Sequence, residues 1–124
     1  MKAKILIVGG GASGTSLALH AASRTDPLRE PVVLIEKGRL GSGSSGRSGA
    51  IVHQAYSDRA LAGMSRDAVK YYATMRASTG RVVGYRQTGV VVLANRKDAQ
   101  SLARFREDVE MQRSIGIDAT IVGA

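Results

Sequence analysis

The sequence contains no cysteine, no tryptophan, only two prolines and one phenylalanine. Without cysteine the chain has no disulfide, no cysteine-ligated zinc and no cysteinyl link to a cofactor. This composition suits a reducing compartment, so we expect a cytoplasmic protein. No apolar run approaches the length of a transmembrane helix, so no membrane span is predicted. No paired carboxylates, Ser-His-Asp set or metal-ligand cluster stands out, so no metal site is predicted.

The chain has an excess of positive charge, with 18 Lys and Arg against 10 Asp and Glu and a net charge of +8. A basic surface favours nucleic acids, but base stacking also needs aromatic side chains, and only four Tyr and one Phe are available. No nucleic-acid-binding motif accompanies the charge. We therefore expect no nucleic-acid partner, and we assign part of the excess charge to an anionic cofactor or an acidic partner surface.

Glycine, by contrast, is abundant, and its first cluster forms a motif. Residues 5–8 are Ile-Leu-Ile-Val, and Gly-Gly-Gly-Ala-Ser-Gly follows at 9–14. A short apolar strand, a Gly-x-Gly-x-x-Gly turn and a helix together bind a pyrophosphate at the amino end of the helix. In this motif Gly9 permits the tight turn, Gly11 lets the backbone approach the phosphates, and Gly14 allows close packing of helix and strand.

A second apolar strand, predicted over 32–36, ends in an acid. Glu36 stands 22 residues after Gly14, close to the spacing of about 20 expected for an acid that binds the ribose of a dinucleotide. Its carboxylate would accept hydrogen bonds from ribose hydroxyls and repel a 2′-phosphate. The motif, the two strands and the acid together predict dinucleotide binding. A glycine-rich turn that binds nothing would leave the acid at the strand end unexplained.

Residues 41–50 consist almost entirely of Gly, Ser and Ala, which is also the composition of a flexible linker. The stretch contains Arg47, however, and leads directly into the apolar Ile51 and Val52. We therefore predict an ordered loop. Its backbone N–H groups, Ser hydroxyls and single Arg are suited to contact phosphates or a flat ring.

The remaining secondary structure is predicted from hydrophobic spacing and capping residues. The sequence changes near residue 80 from a βαβ pattern to a hairpin pattern. The predicted elements are a helix over 15–23, a helix capped by Ser57 or Asp58 and running to about Ser78, strands over 82–86 and 90–93, a helix over 96–114 with Asn95 as its N-cap, and a strand over 117–122.

The sequence resembles FAD-dependent oxidoreductases of the D-amino-acid oxidase superfamily, in particular enzymes of the sarcosine oxidase, dimethylglycine dehydrogenase and glycine oxidase kind. The resemblance rests on the glycine motif, on Glu36 and Lys37, and on the stretches 46–53 and 86–93. It covers only the N-terminal part of such an enzyme. It implies an α/β fold with a Rossmann-like FAD-binding βαβ unit over 1–80, followed by the incomplete beginning of an α+β substrate domain over 81–124.

The resemblance also implies FAD as the cofactor, and it assigns roles to residues. The glycine turn would hold the pyrophosphate, Glu36 the adenosine ribose with Lys37 near the adenine, and the 41–50 loop would extend toward the isoalloxazine. His53 would be a catalytic residue that faces the flavin or the substrate carboxylate, although several relatives carry Arg there; a histidine paired with backbone is the alternative. The implied cofactor-binding residues are Gly9, Gly11, Ala12, Ser13, Gly14, Glu36, Lys37, Ser44, Ser45, Gly46, Arg47 and Ser48.

The activity implied by the resemblance is oxidation of an amine or amino acid by hydride transfer to flavin, with a small-molecule substrate. Two alternatives stay open. The first is a non-catalytic FAD-binding fragment or subunit, completed by a second polypeptide or in a homo-oligomer; an exposed strand edge at 117–122 favours such pairing. The second is an NAD-binding Rossmann protein, which the 41–50 loop and the hairpin pattern after residue 80 disfavour.

Overall fold

The computed structural model describes residues 2–95 and 97–123. They divide into two compact units, one ending at Ile51 and the other beginning at Val52. This division by contacts differs from the predicted boundary at residue 80, which separates a cofactor-binding region from a substrate domain. The boundary at residue 80 stays a prediction. The first unit contains strand β1 (Ile5–Val8), helix α1 (Ala12–Ala22), strand β2 (Val32–Ile35) and a 3-10 helix (Ser44–Arg47); the second contains helices α2 (Arg59–Thr79) and α3 (Ala99–Ser114).

The first unit is a βαβ unit, as predicted. β1 and β2 are parallel, with Ile5 opposite Val32 and Val8 opposite Ile35. Parallel neighbours need a crossover connection, which α1 provides. The N–H of Gly9 donates to the carbonyl of Ile35 at 2.8 Å and extends the ladder by one bond. The carboxyl ends of both strands therefore meet at one edge of the sheet, beside the glycine turn.

Helix α1 covers one face of this sheet. Ile7 is buried and faces the helix, because a Cβ placed on Gly14 would lie 3.6 Å from its Cγ2 atom. Leu6 and Val8 point to the opposite face, as alternation along a strand requires, and are 59% and 78% exposed. One apolar face of the sheet is therefore open. The helix begins at Ala12 rather than Thr15, because the glycine turn itself runs into its first turn.

Helix α2 has the limits that its capping residues predict. The side chain of Asp58 accepts a hydrogen bond from the N–H of Leu61 at 2.8 Å, which is the geometry of an N-cap. At the other end Gly80 has a φ of 69°, the left-handed conformation with which glycine stops helices. Ser57 does not cap the helix; its hydroxyl donates to Asp108 Oδ2 at 2.6 Å.

Helix α3 begins later than predicted. Asn95 was expected to be its N-cap, and this prediction is wrong. Asn95 Oδ1 accepts from the N–H of Lys97 at 3.0 Å and so forms a turn of its own ahead of the helix. Asp98 is the N-cap and accepts from the N–H of Ser101 at 3.0 Å. Arg96, where the helix was predicted to start, lies outside the described residues.

The segments 82–86, 90–93 and 117–122 were predicted as strands, and the structure assigns none of them to a strand. A β-strand is defined by its backbone hydrogen bonds to a neighbouring strand, and within the described residues these segments belong to no sheet. Most of their side chains are exposed, with Val91 at 80% and Leu93 at 90%. Ile117 is buried beside α3, where its N–H donates to the carbonyl of Gln112 at 3.0 Å.

Helices α2 and α3 are joined by arginine side chains. Arg59 Nη1 donates to Ser114 Oγ at 3.0 Å, and Arg66 Nη1 donates to the carbonyl of Ile115 at 2.6 Å. The buried apolar residues of this unit are few: Ala62, Val109 and Ile117. In the part of the chain that the structure describes, no helix has both the length and the apolar character needed to cross a membrane.

Candidate cofactor-binding site

The glycine turn has the geometry that its sequence predicts. Gly9 has a φ of 105°, which L side chains rarely adopt. A Cβ on Gly14 would lie well under 3.0 Å from the carbonyl oxygen of Gly9, closer than Cβ atoms come in real structures. Glycine at position 14 therefore lets α1 pass directly over the turn. Gly11 is the N-cap residue of α1 and offers no side chain to the helix end.

Glu36 lies against this turn at the end of β2. Its Oε2 atom accepts from the N–H of Gly10 at 2.7 Å, and its Oε1 atom accepts from the N–H of Gly38 at 2.9 Å. The hydrogen bond from Gly10, then the one from Gly38, and more weakly the charge of Lys37 lower the pKa of the Glu36 carboxyl below its ordinary value. The carboxylate is thus ionised at neutral pH. Each of its oxygens can accept a second hydrogen bond, so the group retains acceptors for a pair of sugar hydroxyls.

The loop that follows β2 is ordered, as predicted, and lies on the glycine turn. The N–H of Gly41 donates to the carbonyl of Gly10 at 2.9 Å, and the N–H of Ala12 donates to Ser45 Oγ at 2.9 Å. Within the loop, a Cβ on Gly46 would lie well under 3.0 Å from the carbonyl oxygen of Gly41. Glycine at position 46 therefore allows the 3-10 helix to fold back on the start of the loop.

The structure thus brings together the turn at 9–14, Glu36 and Ser45. The side chains of Lys37, Ser44 and Arg47 are exposed, and within the described residues no hydrogen bond joins them to the turn. Ser48 Oγ accepts from the N–H of Ala50 at 3.1 Å instead. The roles of these four residues, and of the exposed Ser13, stay predictions.

Sequence reasoning missed three further glycines of the site. Gly10 is buried; its N–H meets Glu36, its carbonyl meets Gly41, and a Cβ would collide with Leu40 Cδ2. Gly38 supplies the second N–H on the carboxylate, and Gly41 has a φ of 74°. The available signal was the run of three consecutive glycines, because the motif leaves the residue at position 10 free.

His53 belongs to the second compact unit. Its ring stacks on Tyr56, with 4.5 Å between ring centroids and 22° between planes. Its carbonyl accepts a hydrogen bond from the hydroxyl of Ser65. Its Nδ1 atom is buried and has no hydrogen-bond partner within the described residues, so this nitrogen is not paired with backbone. The catalytic role of His53 stays a prediction.

The site fits a dinucleotide. Gly9, Gly11 and Gly14 carry no side chain that would obstruct a diphosphate, and the first N–H groups of α1 lack intrahelical acceptors by helix geometry. An ionised carboxylate lies at the expected place for a ribose. In residues 2–95 and 97–123, no three His, Asp or Glu side chains are grouped so that they could hold a metal ion.

A parallel βαβ unit with a glycine turn at the carboxyl ends of its strands, and an acid beside that turn, defines a dinucleotide-binding fold of the Rossmann type. The sequence model of the FAD dependent oxidoreductase family matches residues 4–124. The chain therefore belongs to this family, and the cofactor of the family is FAD.

Similar proteins include both enzymes and a regulatory subunit. Mitochondrial dimethylglycine dehydrogenase of Rattus norvegicus is 36% identical over 75% of this chain and 10% of its own length. The mitochondrial pyruvate dehydrogenase phosphatase regulatory subunit of Mus musculus is 31% identical over 98% of this chain and 13% of its own. Gamma-glutamylputrescine oxidoreductase of Escherichia coli is 29% identical over 86% of this chain and 27% of its own. The chain thus spans a minor part of each relative, and no solved structure matches it.

Proposed function

We propose that this chain forms the FAD-binding portion of an oxidoreductase that oxidises an amine or amino acid. The observation that carries the proposal is the ionised Glu36 carboxylate, hydrogen-bonded to the glycine turn at the carboxyl ends of two parallel strands. The names of the dehydrogenase and the oxidoreductase among the relatives, which refer to dimethylglycine and gamma-glutamylputrescine, support an amine as the substrate class.

In this proposal the chain binds and orients the cofactor. The N–H groups of Ser13 and Gly14 at the start of α1 bind the diphosphate, and Glu36 binds the ribose hydroxyls. Lys37 lies near the adenine, and the loop over 44–48 follows the cofactor toward its ring, with Arg47 supplying positive charge. FAD, when bound, supplies the ring that accepts a hydride from the carbon next to the substrate nitrogen.

The proposed role of His53 is to contact the substrate carboxylate or the flavin. Its buried Nδ1 atom, which lacks a partner within the described residues, supports a further hydrogen bond at this position. An imidazole can donate or accept such a bond, depending on which nitrogen carries the proton.

A second candidate function is a non-catalytic FAD-binding subunit that acts with another polypeptide or as a homo-oligomer. Its support is the similarity to a regulatory subunit over 98% of the chain. NAD binding has no such support, because the family that the chain belongs to uses FAD. Cytoplasmic localisation stays a prediction; the names of two of the relatives above include the word mitochondrial.

Titration of the 124-residue chain with FAD, followed by flavin fluorescence, tests the proposal. We expect saturable binding of FAD and none of NADH. Glu36→Ala should weaken FAD binding about tenfold, because a charged acceptor for two hydroxyls is lost. Glu30→Ala is the matched control, since Glu30 pairs with Lys4 at the opposite end of β2. Equal FAD affinities of the wild type and Glu36→Ala, or no FAD binding by the wild type, would contradict the proposal.

A further inference from the structure

Helix α3 carries an amide where its inner face calls for an apolar side chain. Gln112 is 7% exposed, and within residues 2–95 and 97–123 it is the one polar or charged residue that is buried. It follows Phe105 and Val109 at the spacing of one helix face, and Val109 is buried as well. Burying an amide costs free energy unless its polar atoms are hydrogen-bonded. The position of Gln112 therefore points to a specific bond rather than to packing alone.

That bond connects α3 to the segment that precedes α2. The Nε2 atom of Gln112 donates to the backbone carbonyl of Tyr56 at 3.1 Å, across 56 positions of sequence. One helical turn earlier, Asp108 Oδ2 accepts from the hydroxyl of Ser57 at 2.6 Å. All four residues belong to the second compact unit. Helix α3 therefore holds this segment at two successive residues.

Tyr56 in turn supports the imidazole of His53. The two rings are stacked, with 4.5 Å between their centroids. The backbone of His53 is held from α2, because its carbonyl accepts from the hydroxyl of Ser65. Its Nδ1 atom has no hydrogen-bond partner within the described residues. The orientation of the imidazole therefore depends on the Tyr56 ring rather than on a hydrogen bond at Nδ1.

His53 and Gln112 both border a cavity of about 1080 Å³ within the second unit, which is large enough for a small ligand. We propose that Gln112 is a positioning residue for His53. By holding the backbone of Tyr56, it keeps the Tyr56 ring against the imidazole, so that the imidazole meets a carboxylate ligand in one orientation. The orientation half of this inference rests on contacts within the second unit, and the ligand half rests on the proposed function.

NMR of the cofactor-free chain tests the orientation. The stacked Tyr56 ring shields the ring protons of His53, which should therefore resonate upfield of those of an unstacked histidine. Gln112→Met keeps an unbranched side chain but has no N–H to donate, so these protons should lose most of the upfield shift. Gln100→Met is the matched control, because Gln100 is exposed in the first turn of the same helix. His20, on α1 in the first unit, is the internal reference and should not respond.

Tyr56→Leu separates positioning through the ring from a general loosening of the second unit. If Gln112 acts through the Tyr56 ring, Gln112→Met should not change the His53 resonances further once that ring is absent. Unchanged His53 resonances in Gln112→Met would overturn the orientation half. An equal effect of Gln112→Met with and without the Tyr56 ring would overturn it too.

Titration with sodium acetate, which has a carboxylate but no amine, tests the ligand half. We expect acetate to shift the His53 resonances of the wild type. It should bind Gln112→Met about fivefold more weakly, because an imidazole that is free to rotate must be ordered on binding. Equal acetate affinities, or no response of His53 in the wild type, would overturn the ligand half. Failure of the wild type to bind FAD, with these responses intact, would overturn the proposed function and leave the positioning of His53.

Discussion

The glycines of this chain differ in what a side chain would meet at each position. At Gly14 a Cβ would collide with the backbone carbonyl of Gly9, and backbone cannot move aside as a flexible side chain can. At Gly63, in the interior of α2, a Cβ would meet nothing within 4 Å, and the backbone is helical. The first glycine is therefore required by close packing, whereas the second only costs the helix conformational entropy.

We predict opposite effects for the same substitution at these two sites. Gly14→Ala should destabilise the βαβ unit by about 3 kcal/mol or more, since overpacking forces α1 off the turn. Gly63→Ala should stabilise α2 by about 0.5–1 kcal/mol, because alanine loses less backbone entropy in a helix. Urea unfolding followed separately at amides of β1 and of α2 measures both effects. A neutral Gly14→Ala would contradict the packing of α1 against Gly9.

At this scale the sequence predicts side chains better than backbone contacts. Glu36 was selected from its spacing to the glycine motif, and its carboxylate lies against the glycine turn; its role toward a ribose stays a prediction. Its partners, the N–H groups of Gly10 and Gly38, left no comparable signal, since every residue except proline has an N–H. The sequence also has several serines in the loop at 41–50. Which hydroxyl reaches α1 depends on the register of the 3-10 helix, and only the structure identifies Ser45.

The secondary-structure elements that are specified by local sequence signals, such as β-branched runs and capping residues, were predicted well. β1 and β2 follow from short β-branched runs, and α2 follows from Asp58 at its start and Gly80 at its end. The start of α3 was misplaced because Asn95 and Asp98 are both good caps, and a sequence does not tell which of them forms the preceding turn. The strand predictions for 82–86, 90–93 and 117–122 were wrong for a different reason. A strand needs a neighbouring strand to pair with, and a local sequence pattern does not show whether one is present.

The contribution of the N-cap residue Asp58 to the stability of α2 can be tested by mutation. Asp58→Ala should lower the free energy of unfolding of the second unit by about 1 kcal/mol, because the N–H of Leu61 loses its acceptor. Asp58→Asn keeps an acceptor oxygen and should cost only a small part of that. Urea unfolding monitored by far-UV circular dichroism measures the difference. If the asparagine variant is as unstable as the alanine variant, charge at the helix end matters more than the hydrogen bond.

On the scale of the whole molecule, the chain exposes apolar groups that proteins normally cover. Parallel sheets are usually covered on both faces, yet Leu6 and Val8 lie on an open face. In the second unit the uncharged run 90–93 is exposed and, within the described residues, belongs to no sheet. The relatives compared above are several times longer than this chain. We therefore expect these surfaces to be covered by further polypeptide.

The exposed run at 90–93 can be tested for a role in self-association. A short uncharged β-branched segment with free backbone groups pairs readily with a copy of itself, and a charge within it opposes that pairing. We therefore expect the 124-residue chain to associate with itself as its concentration rises. Val91→Lys should weaken that association, measured by size-exclusion chromatography with light scattering. Leu28→Lys is the matched control, because Leu28 is 92% exposed outside any such run and the substitution adds the same charge. Equal weakening by both would mean that net charge governs association, whereas a selective effect at Val91 identifies the run at 90–93 as the edge that another strand must cover.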